Sequence, residues 1–134
     1  MAITKNAGRQ NLLYAVQTIA FDAIDADGAY DAVDLPVGAR FISGALVEDV
    51  AFDDGTGTTL SVGISGGAAD AYLAATSVQQ GAGTTTALTG GNAAALAAKQ
   101  TINVTVAYTD DDATTGQATL IVAYVIEGRA VEAQ

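Results

Sequence analysis

The stretch Thr101-Ile102-Asn103-Val104-Thr105-Val106-Ala107-Tyr108 sets Ile102, Val104, Val106 and Tyr108 against Thr101, Asn103, Thr105 and Ala107 in strict alternation. Successive side chains of a strand point to opposite faces, so a period of two gives an extended segment one apolar face and one small or polar face. Leu60-Ser61-Val62-Gly63-Ile64 repeats the pattern. Both runs predict strands packed on one side. Three longer runs differ. Leu12 to Asp22, Phe41 to Phe52 and Ala118 to Ile126 are apolar on both faces. Such strands fit either a sandwich core or a contact between subunits.

Turn chemistry falls between the runs, at Asp27-Gly28, Leu35-Pro36-Val37-Gly38, Asp53-Asp54-Gly55, Gly66-Gly67, Gly90-Gly91 and Asp110 to Gly116. Shorter strands are predicted over Tyr30–Leu35, Ala71–Val78 and Thr84–Leu88, which brings the total to about eight. The Ala-rich segment Asn92–Lys99 reads equally as one or two helical turns or as a loop. Many short strands, Gly-rich turns and no alternating helices predict an all-β fold, an antiparallel β-sandwich with jelly-roll or Greek-key wiring. The expected organisation is an N-terminal arm over residues 1–11 and one β-sandwich domain over 12–134.

Composition narrows the function. Of 134 residues, 50% are apolar and only 15% charged, with 15 acids against five cations and a net charge of −10. A nucleic-acid partner is not expected, because phosphate binding needs a basic footprint. The chain has no Cys and no His. Thiolate chemistry, disulfides, the usual general base and the commonest transition-metal ligand are therefore excluded. No run approaches the roughly 20 apolar residues of a membrane span, and no signal-peptide core follows Lys5 and Arg9. Neither export nor a membrane partner is predicted.

The charge is unevenly spread. Residues 1–21 carry Lys5 and Arg9 and no acid, whereas 22–54 carry Asp22, Asp25, Asp27, Asp31, Asp34, Glu48, Asp49, Asp53 and Asp54 against Arg40 alone. From Ala71 to Ala98 nothing is charged. Surface buried against another chain is depleted in charge, and so are Gly/Thr-rich surface loops, so both readings stand for 71–98. The segment bearing Ile3, Lys5 and Arg9 is either a free tail or a positive arm for an acidic neighbour.

Each candidate chemistry has a plain structural counterpart. Asp25-Ala26-Asp27-Gly28, with Asp31 behind it, imitates the opening of an oxygen-ligand calcium loop. Counting from Asp25, the fifth and twelfth positions hold Ala29 and Pro36, so the EF-hand pattern fails. Asp25, Asp27 and Asp31 remain weak metal candidates beside the reading of solvated turn residues. Glu48 and Asp49 adjoin in a predicted strand and must face opposite ways, which rules out a glycosidase pair. Ser43, Ser61, Ser65 and Ser77 sit in no G-x-S-x-G elbow, and Gly63-Ile64-Ser65-Gly66-Gly67 has no cation behind it to hold phosphate. No catalytic residue and no cofactor are predicted. The Tyr and Phe residues at strand positions are core or cross-strand pairs, with a carbohydrate platform as the sharper alternative.

The order of features has a familiar counterpart. An opening strand leads to Asp34-Leu35-Pro36-Val37-Gly38-Ala39. Then come Leu60-Ser61-Val62-Gly63-Ile64, Asp70-Ala71-Tyr72-Leu73, a neutral Gly/Thr stretch and Ile102–Tyr108. The chain closes on Val122-Ala123-Tyr124-Val125-Ile126-Glu127-Gly128-Arg129-Ala130. Over about residues 12–130 this resembles the head-decoration, or cement, proteins of tailed bacteriophages. The resemblance implies a jelly-roll-like sandwich, commonly trimeric, that sits outside the head and clamps neighbouring copies of the major capsid protein. It brings no active site. The expected function is a non-enzymatic virion protein, made in the host cytoplasm, with Ile3, Lys5, Arg9 and the 71–98 stretch as contact surface. The alternative is a carbohydrate- or cell-surface-binding β-sandwich of fibre or adhesin type, of a kind that can depend on calcium.

Overall fold

The computed structural model describes residues 11–24, 26–53, 57–89, 95–108 and 114–126. Eight strands fall within them: β1 (Leu13–Ala20), β2 (Gly28–Leu35), β3 (Ala39–Val50), β4 (Thr58–Ile64), β5 (Leu73–Ser77), β6 (Thr84–Ala87), β7 (Gln100–Tyr108) and β8 (Gln117–Ile126). Every predicted strand is present. The first run ends earlier than the alternation suggests, because Phe21–Ala23 turns into a short 3₁₀ segment. Its lead residue, Phe21, donates its N–H to the Gly116 carbonyl at 3.0 Å. The described part of the Ala-rich segment, 95–99, forms no helix. There Leu96 instead exchanges backbone hydrogen bonds with Gly38 and Ala39. No helix among the described residues is long and apolar enough to cross a membrane.

The strands form two antiparallel four-stranded sheets, ordered β1-β8-β3-β6 and β2-β7-β4-β5. β1 pairs with β8, β2 with β7, β3 with β6 and β4 with β5. The chain is thus one long hairpin folded back on itself and rolled, so that β3 comes beside β8 and β4 beside β7. That is jelly-roll wiring. Leu60, Val62, Ile102 and Val104 from one sheet meet Leu46, Leu120 and Val122 from the other in a shared core.

Register fixes which residues share a face, because directly opposed residues of an antiparallel pair lie on the same side. One expectation needs correcting. β4 and β7 were expected to be wet on their polar side, yet Ser61 and Asn103 are each only 7% exposed and Gly63 is buried. A Cβ at Gly63 would stand 2.3 Å from the Ala68 carbonyl oxygen and 2.4 Å from the Ala69 carbonyl carbon. The connection after β4 therefore lies directly against this face. It is held by hydrogen bonds from Ile64 to Ala68 and from Tyr72 to Val62. Glycine is required here for space. Gly63→Ala is expected to lower the unfolding free energy by about 1–3 kcal/mol, since backbone must move to admit the methyl group; chemical denaturation of wild type and variant measures it.

Candidate interaction surface

The three strands apolar on both faces, β1, β8 and β3, are neighbours in one sheet. Their inner side chains, Ile19, Leu46, Ala118, Leu120 and Val122, enter the core. The outer side is built in rows by register: Tyr14–Ala123–Ser43, then Val16–Ile121–Ala45–Ala87, then Thr18–Thr119–Val47–Thr85. These rows contain no charge. Arg40, opposite Val125, flanks them at one end, and Asp49, whose carboxylate accepts from Thr119 Oγ1 at 2.6 Å, flanks them at the other. Tyr14 is 60% and Val16 58% exposed. The β3 bulge between Phe41 and Ser43 leaves Ile42 51% exposed as well. The opposite sheet is different. Its outer rows, Asp31–Asn103–Gly63 and Ala29–Thr105–Ser61, are small, polar or acidic.

Topology also sorts the charges by end. The connections 21–27, 51–57, 78–83 and 109–116 all lie at the end where β1 finishes and β8 starts. With the end of β3, the described residues there include Asp22, Asp27, Asp49 and Asp53, and no Lys or Arg. At the other end lie the connections 36–38, 65–72 and 88–99. Arg40 and Lys99 belong there together with Asp34 and Asp70, Lys99 3.7 Å from Asp34. No local sequence pattern reveals this separation; it follows from the wiring.

Most described carboxylates on the acidic side tie down backbone. Asp27 Oδ1 accepts the Tyr108 N–H at 2.8 Å. Glu48, 3% exposed, accepts the N–H groups of Gly81 at 3.0 Å and Gln80 at 3.3 Å. Asp53 accepts from Thr114 N at 2.7 Å, Thr114 Oγ1 at 2.6 Å and Thr115 N at 2.8 Å, joining the connection after β3 to the one before β8. The Thr114 hydroxyl above all, then the two N–H groups, holds the Asp53 pKa at about 2. Glu48 and Asp49 face opposite ways, as strand alternation requires.

Of the predicted metal candidates, Asp25 lies outside the described residues, Asp27 is committed to Tyr108, and Asp31 is exposed. No cluster of three or more potential metal-ligating side chains occurs among the described residues. Asp31 lines a cleft of about 190 Å³ between the edges of β1 and β2, with Gln17, Ile24, Tyr30 and Val104, and is its only carboxylate. Ile3, Lys5 and Arg9 lie outside the described residues. The uncharged 71–98 stretch supplies β5, β6 and the buried Tyr72, Leu73, Val78, Leu88 and Leu96. Its aromatic, Tyr72, packs on Phe41 with ring centroids 5.1 Å apart and donates its hydroxyl to Gln100 at 2.7 Å. This pair is core, not a sugar platform.

No protein-family model matches the sequence, and no curated protein matches it. Solved structures do. A chain of the cyanophage Pam1 capsid asymmetric unit superposes with a TM-score of 0.68 at 24% identity, covering 94% of this chain and 92% of that one. The acid-stable capsid of Helicobacter pylori bacteriophage KHP30 gives 0.66 at 18% identity, covering 86% and 87%. The capsid of Ralstonia phage GP4 gives 0.65 at 22% identity, covering 93% and 91%. All three are phage capsids. The shared feature is the fold, end to end in both partners.

The Asp53 contacts predict a pH dependence. A carboxylate held below its unfolded pKa stabilises the fold above that value, and the contribution is lost as pH falls from about 4 through about 2. Asp53→Asn is expected to melt lower than wild type at neutral pH, with the difference narrowing across that window. A gap that stays constant down to pH 2 would contradict this.

Proposed function

We propose that the chain is a non-enzymatic structural protein of a phage virion, a decoration or cement protein that binds the outside of the head and stabilises the shell. The observation that carries this reading is the fold likeness. It runs through 86–94% of this chain and 87–92% of the matched chains in three phage capsids. The partner is the major capsid protein, and the protein works as a homotrimer. Its mechanism is additive contact. Each copy bridges shell subunits through a modest surface, and many copies around a closed shell supply avidity that no single interface has.

Charge sorting favours one orientation. The less acidic end, where Arg40 and Lys99 offset Asp34 and Asp70, meets the shell, while the end with Asp22, Asp27, Asp49 and Asp53 faces solvent. An outward acidic end keeps decorated particles apart and copies soluble. Ile3, Lys5 and Arg9 then act as an arm onto an acidic shell surface, with apolar Ile3 as its anchor.

Purified protein mixed with shells that lack it tests this. Saturable retention is expected, with a higher temperature of shell disruption and weaker binding as salt rises from about 0.05 to 0.5 M, where exposed charges are screened. Removal of residues 1–11 is expected to weaken retention. Absence of retention at every salt concentration would refute the reading.

A further inference from the structure

We infer that the outer face of the β1-β8-β3 sheet, with the edge of β1 that no other described strand pairs, is the surface on which one copy of this chain packs against another. Two independent observations converge on it. The first is the edge itself. The sandwich has four edge strands, and three are protected in the ways that keep sheets from adding further strands. β2 carries Asp31 and Asp34 and a register shift between Asp31 and Val33. β5 and β6 are five and four residues long. β1, Leu-Tyr-Ala-Val-Gln-Thr-Ile-Ala, is eight residues long, uncharged, free of Pro and in unbroken register with β8. A long, regular, apolar edge is a liability unless a partner covers it.

The second observation is the face, and it selects the occupant. The chain carries −10, so two copies repel wherever their acids approach. The rows from Tyr14 to Thr18 and from Ser43 to Val47 contain no acid, so copies can meet there without bringing carboxylates together. The opposite sheet offers Asp31 and Asp34 on its outer side and is unsuited to self-contact. Three strands about 4.8 Å apart, eight residues long at about 3.3 Å each, present a face of about 380 Å². Buried against an equal area of a neighbour, it gives about 760 Å² in total, the range of weak, concentration-dependent contacts. Val16 and Ile121 lie at its centre, with Tyr14 and Ile42 toward the end where the chain enters β1.

The inference rests on the self-assembly part of the proposed function and not on shell binding. Sedimentation and light scattering of Val16→Asp, with Ala107→Asp on the outer face of the other sheet as control, test it. Wild type and Ala107→Asp are expected to stay assembled, and Val16→Asp to dissociate at least tenfold more readily into folded single chains. A single thiol provides a second readout that leaves the face neutral, since the natural chain has no cysteine. Val16→Cys is expected to label slowly when assembled and fast after dilution to single chains, and Ala107→Cys to label fast throughout. If Val16→Asp stays assembled, or Val16→Cys labels fast in the assembly, the face is not the contact, while the homotrimer stands. If wild type is a single chain at every concentration, self-packing fails, and binding of that chain to shells separately decides the virion reading.

Discussion

A β-sheet has two faces, and apolar side chains on both can be hidden only if something lies on each. In this molecule the second sheet covers one face of β1, β8 and β3, through the core of Leu46, Leu120, Val122, Leu60 and Val104. On the other side Tyr14, Val16 and Ile42 are more than half exposed, whereas Ala123 is buried. The remaining sheet meets the same demand internally, because the connection after β4 lies on its Gly63 row and its other outer positions are small or polar. The two sheets thus differ in kind. One is finished by its own chain, and the other presents an apolar, uncharged surface outward.

Charge follows the same division of labour. Carboxylates on the acidic side are anchored to loop backbone, Glu48 at the 80–81 turn, Asp53 across two connections and Asp27 at the end of β7. They serve as ties before they serve as a field. Among the described residues no cation joins them, and Arg40 and Lys99 lie at the other end beside Asp34 and Asp70. One end is thus acidic, while at the other the two cations are balanced by those two carboxylates. Among the described residues, a cleft of about 190 Å³ has Asp31 as its carboxylate and another of about 220 Å³ has Asp31 and Asp34.

Period-two alternation and turn residues made all eight strands legible, because both are local. The distinction between one-faced and two-faced runs was legible too, and it proved to separate the sheets: Leu60–Ile64 and Ile102–Tyr108 fall in one, Leu12–Asp22, Phe41–Phe52 and Ala118–Ile126 in the other. What escaped depends on contacts between distant parts of the chain. Ser61 and Asn103 are buried because residues 65–72 fold back over Gly63, which no alternation announces. Phe21 leaves the strand because its N–H is taken by Gly116, ninety-five positions on. The sorting of acids to one end appears only once the β1/β8 and β2/β7 pairings are known. The functional residues named from sequence alone, Ile3, Lys5 and Arg9, lie outside the described residues, and Asp27 turned out to be a structural acceptor.

The account stands on the claim that the outward face of the β1-β8-β3 sheet is a covered surface in the working protein. A cryo-electron microscopy map of the assembled protein, at a resolution that traces side chains, measures this directly. The account predicts Tyr14, Val16 and Ile121 in continuous density with a neighbouring copy of the same chain. Those three side chains projecting into solvent, with copies touching elsewhere or not at all, would contradict it.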